Sequence, residues 1–311
     1  MANIYFPYLN PIRFVELNKT NLDQYFTKQF DDFLFEEQQY NWQQHKKYCQ
    51  KFATVDTIKL QFQSETDPVI ISVINEDNDT VLTFTPSWVL RDRYNPTLFI
   101  YELSINLSSL SVGCYKIKVE IGDPVTKTLI SECIEIISDI ENTLLFEYSN
   151  TSFYGNVLFE TGIVFSLRTE GTIGKMSPKA KDAIYEDQTL NQTILSSRPF
   201  RLFKVGIGGS EGFPDWMADK INWILGCNNV AIDGKYFTKS EGAVLEPKEE
   251  ENYPMAGYSI DLRESIRRDS SVFSTTVNTN KKLLLIGNID SKGFGNIGNS
   301  ASNVIKVVDL E

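Results

Sequence analysis

The stretch Gly206-Ile207-Gly208-Gly209-Ser210-Glu211-Gly212 leads into a helix signal at Pro214, and glycines ahead of a helix N-terminus can cradle phosphate. The other parts of that chemistry are missing. No Lys-Ser/Thr pair follows, no alternation of strands and helices surrounds the loop, and Glu211 and Asp215 would repel an anion. The stretch fits a turn instead, with glycine supplying positive φ where a short helix docks on a sheet. Histidine gives the strongest exclusion, because His45 is the only one in the chain. That removes most Ser-His-Asp, Cys-His and poly-histidine metal arrangements. Glu76, Asp77 and Asp79 offer oxygen ligands for calcium, but the glycine and the distal glutamate of an EF-hand loop are absent, so a solvated turn is expected. Glu160, Glu170, Asp187 and Asp261 are loose candidates for paired glycosidase carboxylates, whose geometry is non-local. Trp42, Trp88, Trp216 and Trp223 could form a sugar-stacking platform, though such residues more often serve core or interface. No residue is assigned to catalysis, a cofactor or a metal.

The cysteines are Cys49, Cys114, Cys133 and Cys227, with no CxxC pair, so a zinc knuckle is not expected. Cys114 and Cys133 could face each other in a sandwich, but buried free thiols are the expectation. The chain has 311 residues, enough for two domains, with 20 Phe and 14 Tyr, an aromatic load that favours sheets over bundles. Net charge is −11, which argues against non-specific nucleic-acid binding through phosphate contacts. Met1-Ala2-Asn3-Ile4-Tyr5-Phe6-Pro7 has neither a basic region nor an apolar run, so no secretory signal is expected. No apolar run approaches the roughly 20 residues of a membrane span.

These residues must be held by a mainly β chain in three parts. Residues 1–50 form an N-terminal arm, extended at first because Pro7 and Pro11 push their predecessors out of helix. The arm either packs on its own domain or wraps a neighbour, and its aromatics favour the neighbour. Residues 51–146 hold short strand-like runs separated by turns, which suggests an immunoglobulin-like β-sandwich; Thr57–Gln63 and Tyr115–Ile121 alternate apolar and polar. The runs are Thr57–Gln63, Val69–Ile74, Val81–Thr85, Phe99–Leu103, Tyr115–Ile121 and Leu129–Ile137, with a turn at Asn75–Asp79. Residues 147–311 form a second β-rich domain with one helix near 214–225. Its expected strands are Asn156–Phe159, Ile163–Arg168, Phe200–Val205, Tyr253–Leu262, Lys282–Ile286 and Val304–Val308, with loops at Gly171–Gln188 and Gly287–Asn303. The helix signals are Pro214 at the start, Asp215 in the first turn, and Gly226 as a left-handed stop. Met217, Ile221, Ile224 and Leu225 share one face and should be buried. Asp233-Gly234 between Val230–Ile232 and Tyr236–Thr238 predicts a tight hairpin.

Several short motifs carry a family resemblance. They include Glu141–Asn150, Val157–Thr161, Phe165–Arg168, Tyr185–Gln188, Leu195–Arg201 and Gly212–Asn222, with Asn10–Phe14 and Lys47–Phe52 near the start. Together they resemble structural proteins of tailed phages and prophages of Bacteroides-type hosts, the crAss-like phages above all. The resemblance covers most of the chain and carries no catalytic signature. It implies a non-enzymatic virion protein of the tail or neck, assembled in the host cytoplasm as a ring of identical subunits around the tail axis. Its partners would be its own copies and other tail, neck or portal proteins, with no cofactor, no membrane and no nucleic-acid specificity. Candidate subunit-interface residues are Tyr5, Phe6, Tyr8 and Phe14 in the arm, Gly208 and Gly209 in the loop, Trp216 on the helix, and Asp233 and Gly234 at the hairpin tip. A host-surface glycan-binding tail module is the alternative.

Overall fold

Alternating apolar residues build two facing sheets in the first half of the chain. The structure is a computed structural model describing residues 4–16, 48–65, 69–91, 95, 97–122, 124–186, 188, 190–209, 212–248, 255–265, 288–289 and 295–296. It divides into two units, 1–265 and 266–311. The first strands are β1 (Ile4–Tyr5), β2 (Phe14–Glu16), β3 (Gln50–Ala53), β4 (Thr57–Ser64), β5 (Val69–Asn75) and β6 (Thr80–Phe84). They continue with β7 (Trp88–Arg91), β8 (Phe99–Asn106), β9 (Gly113–Ile121), β10 (Lys127–Ser131) and β11 (Ile134–Ile137). One sheet runs β1-β4-β8-β7. In the other, β9 carries β5 along one edge and β10 then β11 along the other; β2 flanks β10, and β3 lies parallel to β11. Phe62 and Tyr101 from the first sheet, and Ile71 and Val119 from the second, share one buried core. This half is therefore a β-sandwich.

The second half closes on itself. Its strands are β12 (Thr143–Ser149), β13 (Phe165–Glu186), β14 (Gln192–Ile207), β15 (Asn229–Ile232), β16 (Lys235–Lys239), β17 (Glu246–Lys248) and β18 (Gly257–Glu264). The pairing runs β14-β13-β12-β15-β16-β18, and β18 pairs back to β14, so the strands make an antiparallel barrel. Closure pairs the edges of the barrel body, and only the far ends of β13 and β14 extend beyond it. Helix α1 (Asp215–Ile224) buries Met217, Ile221 and Ile224 against the same core as Phe146, Phe165, Val205 and Leu262, and Leu225 is buried too. Among the described residues it is the one α-helix, and none is long and apolar enough to cross a membrane. In the second unit, β19 (Asn288–Ile289) pairs with β20 (Gly295–Asn296), inside the expected Gly287–Asn303 loop.

Several expectations are corrected. Gly171–Gln188 is not a loop, because β13 runs through Glu186 and pairs with β14 along its length. Leu129–Ile137 is two strands, since Glu132 and Cys133 interrupt it to hold Arg13 and Cys49. Asn156–Phe159 makes only an isolated bridge, Tyr154 with Val157, before a short 3-10 turn. Gly226 is not left-handed; a Cβ there would stand 2.5 Å from the Tyr154 hydroxyl, so close approach explains the glycine. Cys133 is disulfide-bonded to Cys49, whose position beside it in the parallel ladder outcompetes Cys114. Residues 4–16 pack on their own chain, because both sheets offer them open edges at β4 and β10. Residues 17–47 with Trp42 and His45, Asp187, Glu211, Tyr253, and the strands expected at 282–286 and 304–308 lie outside the described residues.

Candidate interaction surface

The N-terminal stretch straps the sandwich to the barrel. Leu9 is buried in the barrel core and Ile12 in the sandwich core. Between them Asn10, wholly buried, donates to the Gln61 carbonyl at 2.7 Å and accepts the Gln61 N–H at 2.9 Å. The Tyr148 hydroxyl donates to the Leu9 carbonyl at 2.6 Å. Lys220 on α1 is also wholly buried and donates to the Asn10 carbonyl at 2.7 Å. Burial pushes its ammonium down to about 8, with Glu132 opposing that shift and Arg13 adding to it. A buried ion pair, Arg168 with Asp56 at 2.6 and 2.8 Å, ties β13 to the loop before β4. These contacts fix the barrel on the sandwich.

One element leaves this body. Beyond its contacts with β12 and β18, the β13–β14 ribbon continues for nine residue pairs, roughly 30 Å of extended chain. Irregular register falls at Ile173/Met176 and at Ala183/Ile184, and bulges of this kind bend and twist a ribbon. Near the tip Ile184 faces Ile194, and Tyr185, Leu190 and Leu195 stand close in sequence. All five are exposed, Leu190 at 76% and Leu195 at 68%. On the stem, Lys181 lies directly opposite Arg198, and Lys179 is on the same face. From Lys175 to Arg201 the ribbon holds five basic and three acidic residues in a chain of net −11. Its stem meets the body through the pairs Lys181–Glu241 and Arg201–Glu264, both at 3.2 Å, and through Arg263 over the Phe200 ring at 4.5 Å. Exposed ion pairs contribute at most about 1 kcal/mol each.

The expected interface residues do not form one surface. Tyr5 is exposed and its hydroxyl accepts from Asn156 at 2.6 Å. Phe6 stacks on Phe14 at 3.9 Å between ring centroids, and both pack on the sandwich core. The Tyr8 hydroxyl donates to Asp219 at 2.7 Å, and burial together with that carboxylate raises its pKa. Trp216 is half-buried under the Arg13 guanidinium, 3.2 Å from its ring centroid, and its buried indole N–H has no hydrogen-bond partner among the described residues. Gly208 donates its N–H to the Glu170 carbonyl at 2.8 Å, and a Cβ at Gly209 would strike the Glu170 side chain. The glycine loop thus already faces a carboxylate, which opposes the phosphate reading. Asp233 and Gly234 sit at φ 48° and 75° in the expected tight turn, and Asp233 accepts the Leu145 N–H at 2.9 Å. Their tip is exposed, as are Tyr5 and Gly209.

The loose carboxylate candidates are scattered. Glu170 is ion-paired to Lys51 and lines a cleft of about 730 Å³ with Asp139, Glu141, Lys248 and Tyr258. Asp261 lies on exposed β18 surface, and Glu160 is in the 3-10 turn. Among the described residues the one grouping with metal-ligand character is Cys49, Cys114 and Cys133. The projecting ribbon was missed from the sequence because a strand solvated on both faces carries no apolar alternation. The cluster Ile184, Tyr185, Leu190, Ile194 and Leu195, apolar residues inside a polar stretch, was the available signal. No protein-family model matches the chain, and no curated protein matches it.

Proposed function

We propose that this protein is a structural component of a tailed-phage virion, a ring-forming tail or neck protein assembled from identical subunits. The supporting observation is the β13–β14 ribbon. An isolated two-stranded ribbon is marginally stable in water, and an apolar cluster of this size at its tip marks a contact surface. In a closed ring each subunit presents one patch and receives another, and a long arm with a basic stem suits reaching across to an acidic neighbour. The body would be an immunoglobulin-like sandwich fused to the barrel, located in the virion and contacting other tail, neck or portal proteins. The motif resemblance to phage structural proteins supports the same reading.

Native mass spectrometry and electron microscopy of the full chain test it. Closed multimers are expected, and Ile184→Asp, Ile194→Asp and Leu195→Asp together should leave a folded monomer with an unchanged circular dichroism spectrum. A wild-type chain monomeric at every concentration, or a triple variant that assembles equally well, would sink the reading. A host-surface glycan-binding tail module is favoured by Trp88, 47% exposed on edge strand β7. It predicts glycan binding that W88A abolishes, and glycan-array silence would remove it.

A further inference from the structure

We propose that Cys49, Cys114 and Cys133 form a thiol–disulfide exchange site, in which the bond to Cys133 passes between Cys49 and Cys114. The three sulfurs lie within 4.8 Å of one another. Cys49 and Cys133 are disulfide-bonded, and Cys114 stands outside that bond as a thiol. The sheet explains why three cysteines so far apart in sequence meet. Strand order here is β9-β11-β3. Cys133 directly precedes β11, and Cys49 directly precedes β3. Ile134 is opposite Gln50, and the Gln50 N–H donates to the Cys133 carbonyl at 2.9 Å, so the two cysteines are neighbours one step earlier. On the other side Cys114 is opposite Glu135, two residues beyond Cys133. Side chains alternate along a strand, so Cys114 and Cys133 point to the same face. The middle strand therefore carries the sulfur that both flanking sulfurs can reach.

The chemistry balances within the chain. Cys114 gives its proton to solvent, and its thiolate attacks Cys133 Sγ. The Cys114–Cys133 bond forms as the Cys133–Cys49 bond breaks, and Cys49 leaves as a thiolate that takes up a proton. One disulfide and one thiol are present before and after, so no oxidant or reductant is consumed. Cys49 and Cys114 are half-buried, while the shared Cys133 is buried. The two bonds have different consequences. Cys49–Cys133 joins residues 84 apart and clamps the chain ahead of β3 to the sheet. Cys114–Cys133 instead ties β9 to the start of β11, and it releases Cys49.

Peptide mapping of the full chain tests this without reduction. The protein is held at mildly alkaline pH, trapped with iodoacetamide and digested unreduced. Both the Cys49–Cys133 and the Cys114–Cys133 linked peptides are expected, with alkylation split between Cys114 and Cys49. In C114S only the Cys49–Cys133 link should form, with no label on Cys49. Label confined to Cys114 at all times in the wild type would overturn the proposal, and so would label on Cys49 that persists in C114S. Isolation of the protein with three thiols holding one zinc ion would also overturn it, in favour of a trithiolate metal site.

Discussion

Lys220 shows what a single residue contributes to the joint between the two halves. It is wholly buried, and its near contacts are the Asn10 and Pro11 carbonyls and the rings of Tyr8 and Trp216. Carbonyl dipoles and ring faces replace water only in part, so burial lowers its pKa from 10.5 to about 8. The direction is opposite to that of a lysine stabilised by a carboxylate. Below about 8 the lysine is charged in both folded and unfolded chains, and its desolvation cost is fully present. Between about 8 and 10.5 the folded chain has lost a proton that the unfolded chain still holds, so stability rises with pH. Cys227 works the other way: burial pushes its thiol from 9.0 up to about 12, so stability falls as pH climbs through that range. Subtracting K220M isolates the lysine. The wild type should gain about 3 kcal/mol on the variant across the lysine window in urea unfolding. A difference that stays constant with pH would refute the buried, weakened ammonium.

At the scale of elements, sequence legibility followed burial. Strands packed on a core were legible, β4 and β9 by alternation and β5 by its run of apolar β-branched residues. So was α1, whose apolar face and Asp215 mark it, and so was the Asp233-Gly234 turn. The ribbon was not, because neither of its distal faces touches a core, and Pro178 and Pro199 look like breakers. In a two-stranded ribbon a proline N–H position can face outward, where no bond is lost. The strap at residues 4–16 looked like a free arm because its buried polar partners, Gln61, Tyr148 and Lys220, are remote in sequence. The disulfide was hidden for the same reason: register between β3 and β11 is not visible locally. Glycines separate the two kinds of constraint. A Cβ at Gly171 would sit 2.5 Å from the Gly206 carbonyl oxygen and 2.8 Å from Leu144 Cδ1, where β13 crosses β14. At Gly234 the space is open and only the positive φ of 75° resists substitution. G234A should therefore cost about 1 kcal/mol. G171A should cost about 3 kcal/mol or more, since backbone must shift. Equal melting-temperature losses for the two variants would show that the crossing is looser than described.

For the first unit as a whole, the question is whether sandwich and barrel unfold separately. Each has its own core, and such halves can behave as independent domains. Three features argue for one cooperative unit. The strap places Leu9 in one core and Ile12 in the other, only three residues apart, so neither core can open without pulling on the other. Asn10, Lys220 and the Arg168–Asp56 pair are buried between the halves, and separation would expose them without their partners. Removing one member of such a buried ion pair typically costs about 3–5 kcal/mol. Truncating a fully buried Leu or Ile to Ala costs about 2–5 kcal/mol. L9A and I12A should each lower one shared calorimetric transition of the first unit by a similar amount, although they empty different cores. Deleting residues 1–16 should remove both anchors and prevent stable folding, not leave the sandwich intact. If L9A instead moves one transition and I12A a second, separate one, the strap does not couple the halves. A rigid base matters for the proposed role, because a ribbon some 30 Å long amplifies any rocking of its root into displacement at the tip. The cooperative joint is what would let Ile184 and Ile194 meet the same site on every neighbour in a closed ring.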